Sequence, residues 1–447
     1  MAGSKSAPRK ISPQLAKAHA EAEMARKGFR PWFLFMVAAI FYFYEFFARV
    51  APGVLKNDIL EVTNASEGQF GLAMSMYFLA YAPAQLMIGR MLDRFGTRIV
   101  VAPAAVLVSL GCLIFATTDS IVAMGFGRLL QGLGSAVAYL GAVYLAMVWF
   151  PAHRHGIIPG VTIVAGTIGA STAQYPLEVM AQEFGWRTPI FACFIFGLAI
   201  ALALWFLVPK RPGWFVELMK QDGYDPETPT PILKAILDTA RDRQLWLISL
   251  AAAGLYLPIS VIGDLWGVSF MEIEADIPKD WSSLITTLIF VGFALGSVTF
   301  GILADRLEKR RILFLGTGLC GVATAIGLLF SGVNPTWLTV SLMGLLGFFT
   351  GGQSLAFVMA ADTAARHTRG MKLAFVNFVV MILPVAVQPG VGFISSFGNA
   401  PGTTPSSQQE LMGFGLVVAL MMLGAAFLLF TRETQPRDDE PGGMPGH

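Results

Sequence analysis

The sequence predicts an all-α membrane protein with twelve transmembrane helices in two six-helix bundles. Three observations predict it. Of the 447 residues, 55% are hydrophobic and only 13% charged, against about 25% charged in soluble domains. The apolar residues gather into runs long enough to cross a bilayer, which takes about 20 helical residues. A charged turn, Gly89-Arg-Met-Leu-Asp93-Arg94-Phe-Gly96-Thr-Arg98, returns as Gly301-Ile-Leu-Ala-Asp305-Arg306-Leu-Glu-Lys-Arg310 close to half a chain length later. A device repeated at the same place in each half reads as an internal duplication.

Residues 1–30 carry Lys5, Arg9, Lys10, Lys17, Arg26, Lys27 and Arg30. They read as a cytoplasmic tail, solvated or lying on the membrane surface, with a short helix over Leu15–Lys27. No cleavable signal peptide is evident, since the first apolar run is long enough to span and stay. Six spans follow near 31–55, 68–89, 99–117, 121–149, 157–180 and 188–208, making residues 31–208 the first bundle. Residues 209–244 are mixed in charge and form a cytoplasmic linker, with a surface helix expected over Pro231–Arg243. Six more spans, near 245–269, 281–303, 312–331, 336–360, 371–395 and 409–430, make residues 245–430 the second bundle. Residues 431–447, rich in Pro, Gly and charge, read as a disordered cytoplasmic tail.

Lys and Arg mark the cytoplasmic side. The tails, both repeated turns, the His153-Arg154-His155 turn, the linker and Arg366–Lys372 share it. The opposite side has Lys56, Arg187 and Lys279 beside Glu272, Glu274 and Asp276. Both termini are therefore expected in the cytoplasm of a bacterial cell with this chain in its inner membrane. Gly89 is expected to let the flanking helix ends approach, having no side chain to hold them apart. Internal Gly and Pro, such as Gly351-Gly352 and Pro384, mark bends and close helix contacts. Cys112, Cys193 and Cys320 fall inside apolar spans with no metal spacing, so they read as packing residues.

The G-x-x-x-D-R-x-G-x-R turn, its weaker second copy, Arg128-x-x-x-Gly132 in the fourth span and the span count resemble the major facilitator superfamily. The resemblance implies that superfamily's fold and alternating access by rocking of the two halves. It implies a cytoplasmic latch made from Gly89, Asp93, Arg94, Gly96 and Arg98 in one half. In the other half the latch is Gly301, Asp305, Arg306 and Arg310, where the later glycine of the motif is missing.

An ionisable group inside an apolar span costs several kcal/mol and is a candidate for function. Tyr42, Glu45 and Arg49 share one face of the first span, and Arg128 lies in the fourth with Ser135 and Tyr139 near its face. Counting about 1.5 Å per residue puts both arginines in the outer half. Two cations facing one cavity favour an anionic group, which a guanidinium grips in a bidentate fork. The structural alternatives are a pair between Arg49 and Glu45, snorkelling of Arg49, and helix packing for Arg128. Arg49-Val-Ala-Pro-Gly-Val-Leu is similar to the anion:cation symporter branch, where an arginine in the first span implies an organic anion. That branch has an acidic residue just before the arginine, where this chain has Ala48. Glu45 is the substitute proton-coupling group, its protonation expected to free Arg49. The same stretch resembles amino-acid and dipeptide carriers, which implies a zwitterion.

In the second half, Tyr256, Ser260 and Asp264 form a stripe on the seventh span. Asp264 is expected near its outer end, as a gate, a coupling group or an interfacial residue. Gln353 and Asn377 are candidates to hydrogen-bond substrate in the cavity, the alternative being polar groups satisfied within the core; Glu178 reads as surface. No phosphate loop, H-E-x-x-H or nucleophile motif supports an enzyme. Without an ATP site, the energy must come from ion or substrate gradients. The reading is a secondary transporter for a small organic anion or an amino-acid- or peptide-like solute, proton-coupled and monomeric. It has no cofactor, metal or nucleic-acid partner. The alternatives are efflux of hydrophobic or cationic compounds, and a membrane sensor that binds without transporting.

Overall fold

The computed structural model describes residues 13–26, 28–151, 154, 157–221, 232–307, 309–330, 332, 335–364, 368–399 and 405–434. Eleven elements among them are long and apolar enough to cross a membrane. The first bundle runs α2 (Arg30–Val54), α4 (Glu67–Phe95), α5 (Thr97–Thr117), α6 and α7 (Ile121–Ser135, Ala138–Trp149), α8 and α9 (Ile157–Thr172, Tyr175–Phe184), and α10 (Arg187–Leu207). Before and among these lie α1 (Pro13–Ala25) and the short outer helix α3 (Lys56–Thr63). The linker forms α11 (Gly213–Gln221) and α12 (Ile232–Ala240), the second where a surface helix is expected.

The second bundle opens with α13 (Arg243–Leu257), a π-helical segment (Pro258–Trp266) and α14 (Gly267–Ile273), together one span. Next come α15 (Lys279–Leu307), α16 (Arg310–Leu328), and α17 and α18 (Thr336–Thr350, Leu355–Asp362) joined by a 3₁₀ turn at Gly351–Ser354. Then come α19 and α20 (Arg369–Ile382, Pro384–Ser395) and α21 (Ser407–Leu429).

The eleven long elements and the α8/α9 pair account for the twelve expected spans. The fifth span is not one rod. Pro176 enters the first turn of α9, where its missing N–H is harmless. Gln174 leaves the helix at φ −99°, ψ −112°, so α8 and α9 are separate pieces.

Within the first bundle α5 packs on α6 and α10, α4 on α6, and α2 on α8; in the second, α15 packs on α17 and α13 on α19 and α21. The bundles meet where α4 runs along α19 and α20, α2 meets the π segment, and α8 and α9 meet α15. Gly71 sets the spacing of the first seam, since a β-carbon there would lie 2.7 Å from the Gln388 carbonyl oxygen.

Three expectations change. The charged turn is no loop, because Gly89–Phe95 continue α4 and only Gly96, at φ 79°, breaks the chain. Gly89 and Gly301 face open space, so neither lets helix ends approach; Gly96 is the close one, against Arg211 of the linker. The N-terminal segment is not simply solvated. Helix α1 packs on α11, Ala22 is buried, and Arg26 donates to the Val148 carbonyl at 3.3 Å while lying over Trp214. The His153/His155 turn, the 431–447 tail beyond residue 434, and Arg366 lie outside the described residues.

Candidate functional site

The ionisable groups inside the spans converge where α2 meets the π segment. Arg49 is 2% exposed, and its guanidinium faces Asp264 of the opposite bundle, also 2% exposed. Nη2 donates to Oδ1 at 3.3 Å, and Nε lies 3.1 Å from Oδ2, off the line of a hydrogen bond. Nη2 also donates to the Tyr256 hydroxyl at 3.4 Å, and the guanidinium carbon lies 4.1 Å from the centre of the Phe46 ring. Asp264 is therefore no interfacial residue near the outer end. Without it Arg49 would be an unpaired buried charge.

Glu45, one turn before Arg49, is wholly buried and does not pair with it. The Tyr77 hydroxyl donates to its Oε2 at 3.1 Å, and its Oε1 has no partner. Tyr77 stacks on Tyr81 at 5.6 Å, and Tyr42 lies 5.6 Å from Tyr139, so phenol rings from α2, α4 and α7 surround the carboxylate layer. Asn377 of α19 approaches the Tyr81 hydroxyl. Gln353 is buried in the 3₁₀ turn of the tenth span, with no hydrogen bond or ion pair among the described residues joining it to Arg49.

The expected pair of cations facing one cavity resolves differently. Arg128 is spent on backbone. It donates to the carbonyls of Ala48 at 3.0 Å, Arg49 at 3.1 Å and Met74 at 3.4 Å, and to Gln131 Oε1 at 2.8 Å. It holds α2 and α4 in place behind Arg49, with its guanidinium over the Tyr77 ring. These are the bonds of the helix-packing alternative.

Spacing alone could not reveal a second cluster at the outer end. Lys56 is 3% exposed although it stands just past the first span. Its Nζ donates to Glu67 at 2.9 Å and 3.1 Å and to Ser269 of the other bundle at 2.6 Å; Ser269 donates on to Glu410 at 3.3 Å. Glu178, expected at the surface, is 2% exposed in its side chain and pairs with Lys279 at 3.0 Å across the seam. These contacts and the Arg49–Asp264 pair join the two bundles. The one signal for them in the sequence is a run of charges beside span ends, which reads equally well as loop.

The repeated turns have contacts with the linker and within their own bundles. Arg211 donates to the Asp93 carbonyl, Arg98 lies over Trp205, and Arg310 pairs with Asp362 inside its own bundle. Asp305 and Arg306 are exposed.

A family model described as Major Facilitator Superfamily matches residues 34–273 and 254–446. The chain is 24% identical to the cis,cis-muconate transport protein of Acinetobacter baylyi, over 85% of this chain and 89% of that one. It is 23% identical to the probable sulfoacetate transporter of Cupriavidus necator over 61% of its length, spanning 65% of that relative. The crystal structure of a bacterial homolog to the human lysosomal transporter Spinster has the same fold, with TM-score 0.70 at 14% identity. That match covers 90% of this chain and 96% of that one.

Proposed function

The chain belongs to the major facilitator superfamily, and from that premise we propose that it moves a small organic anion, or an amino-acid-like zwitterion, by alternating access. Arg49 takes the anionic end of the substrate, and Asp264 occupies Arg49 when the site is empty. The observation that carries this is the buried pair between them, one residue from each bundle. Relatives named for muconate and sulfoacetate support an anion.

The pair also supplies a route to proton coupling. An empty site is neutral because Arg49 and Asp264 cancel. A loaded site is neutral when the substrate anion cancels Arg49 and a proton cancels Asp264. A site holding substrate without the proton, or the proton without substrate, leaves one buried charge unpaired, at a cost of about 3–5 kcal/mol. That penalty ties one movement to the other. It replaces the expectation that Glu45 frees Arg49, since Glu45 bonds to Tyr77 instead. Glu45 remains a second proton site. The latch role of Asp93 and Asp305 is kept as part of the reading, with the plasma membrane as location and both termini in the cytoplasm.

A second reading has its own support. Glu45, with one oxygen free amid Tyr42, Tyr77 and Tyr81, is an acidic aromatic setting that suits an organic cation for efflux. A thermal-shift screen of the purified protein separates them, using carboxylates, sugar acids, amino acids, dipeptides and organic cations. Anions that stabilise wild type and not Arg49→Ala support the first reading. Cations that stabilise Arg49→Ala and not Glu45→Gln move efflux to first place.

A further inference from the structure

Asp264 stands in a stretch of unusual backbone. Pro258 has no N–H to continue α13, and from there to Trp266 the chain is π-helical. Such segments inside α-helices are uncommon and gather at functional sites. Helices within a membrane tolerate them where neighbouring side chains bond the disturbed backbone. Two glutamines, each 1% exposed, do so here. Gln388 of α20 donates from Nε2 to the Ser260 carbonyl at 2.7 Å, and its own carbonyl accepts from the Trp266 indole at 3.2 Å. Gln174 donates from Nε2 to the Gly263 carbonyl at 3.0 Å.

The two do not act alike. Gln388 belongs to the same bundle as the π segment, whereas Gln174 belongs to the other and sits in the break between α8 and α9. The carbonyl it holds lies in the peptide plane that ends at the nitrogen of Asp264. The next peptide plane, between Asp264 and Leu265, is pressed from α2, where a β-carbon on Gly53 would lie 2.7 Å from the Asp264 carbonyl oxygen. The first bundle thus fixes the backbone on both sides of this residue.

We propose that Gln174 is a positioning residue for Asp264: by holding the Gly263 carbonyl from the opposite bundle, it aims the Asp264 carboxylate at Arg49. The inference rests on the reading of Asp264 as the partner of Arg49 that gains a proton. Without Gln174 the peptide plane turns, the fork with Arg49 loosens, and the carboxylate takes a proton more readily. The charged and titratable groups facing Asp264 are Arg49 and Glu45 from α2, Arg128 from α6, and Tyr256 on its own span. Gln174 changes none of these charges, so its effect is geometric.

The test is infrared difference spectroscopy of the full protein in lipid without substrate, following the carboxyl stretch of protonated Asp264 from pH 10 to pH 4. The band is assigned by its loss in Asp264→Asn. In Gln174→Met, similar in size but without a donor, the band is expected to half-develop about one pH unit higher, a tenfold change in proton affinity. Gln174→Asn, too short to reach, should behave alike and serves if the first variant fails to fold. A band confined to the Gln174 variants also supports the proposal. Unshifted bands, or none in any variant, overturn it. If wild type shows no band that Asp264→Asn removes, while the Gln174 variants show one that is lost when Asp264→Asn is added, the proton reading of the wild-type site fails and the positioning role stands.

Discussion

Across the seam between the bundles, Nη2 of Arg49 donates to Oδ1 of Asp264 at 3.3 Å while Nε lies 3.1 Å from Oδ2. Both side chains are 2% exposed, and among the described residues neither has another ion-pair partner, so each is the other's neutralisation.

Removing one partner should therefore cost more than removing both. Arg49→Ala is expected to destabilise by about 3–5 kcal/mol, because Asp264 is left charged and buried. Adding Asp264→Ala should restore most of that loss without restoring ligand binding. Thermal midpoints of wild type and the two variants with and without ligand measure both effects. A double variant no more stable than Arg49→Ala would show that the pair is not neutralised internally.

Proton coupling should follow the same residue. In proteoliposomes Asp264→Asn is expected to keep substrate counterflow and lose accumulation driven by a pH gradient. Glu45→Gln should keep both, since its carboxylate bonds to Tyr77 and not to Arg49. The opposite pattern would transfer the coupling role to Glu45.

Gly71 should control closure of the outer end. A β-carbon there meets the Gln388 carbonyl at 2.7 Å and the Pro389 α-carbon at 2.9 Å, so Gly71→Leu should hold α4 and α20 apart. Spin labels at Asn64→Cys and Phe397→Cys, with the three native cysteines replaced, should report longer distances in that variant. An unchanged distribution would mean that the seam closes elsewhere.

Asp242 should contribute on the acid side of the stability profile. Burial alone would raise its pKa. The Lys372 ammonium at 2.6 Å and the Leu245 N–H, which it caps, outweigh burial and hold it below the ordinary value. A lowered folded pKa stabilises above the unfolded value, about 3.9, and that contribution is lost as pH falls through the folded one. Asp242→Asn should flatten this acid-side loss and cost about 1 kcal/mol or less near neutrality, because asparagine still caps. Thermal midpoints between pH 3 and pH 7 measure it.

The spans were legible because apolar run length is a property of single segments. Their ends fall within a few residues of expectation, apart from α4, which extends through the charged turn to Phe95. Arg49, Glu45 and Asp264 stood out because charge inside an apolar run is costly wherever the helix faces. Their partners did not. Which carboxylate meets Arg49 depends on the rotation of the first and seventh spans about their axes, and the π segment shifts that rotation for Asp264. The role of Arg128 was hidden for a related reason, since backbone carbonyls leave no mark in a side-chain pattern. Glu178 was misplaced and the burial of Lys56 missed because a charge beside a span end reads as loop until a second bundle covers it.

The break at Gln174 bears on how the halves can rotate. A continuous rod transmits torque along its length; a jointed one does not. The outer piece, α9, is tied to α15 through Glu178 and Lys279, while α8 packs chiefly on α2 and less extensively on α15. During rocking, the outer piece can stay with one half while the inner piece travels with the other. The fifth span would then behave as a knuckle, and the two halves would not be strictly rigid levers.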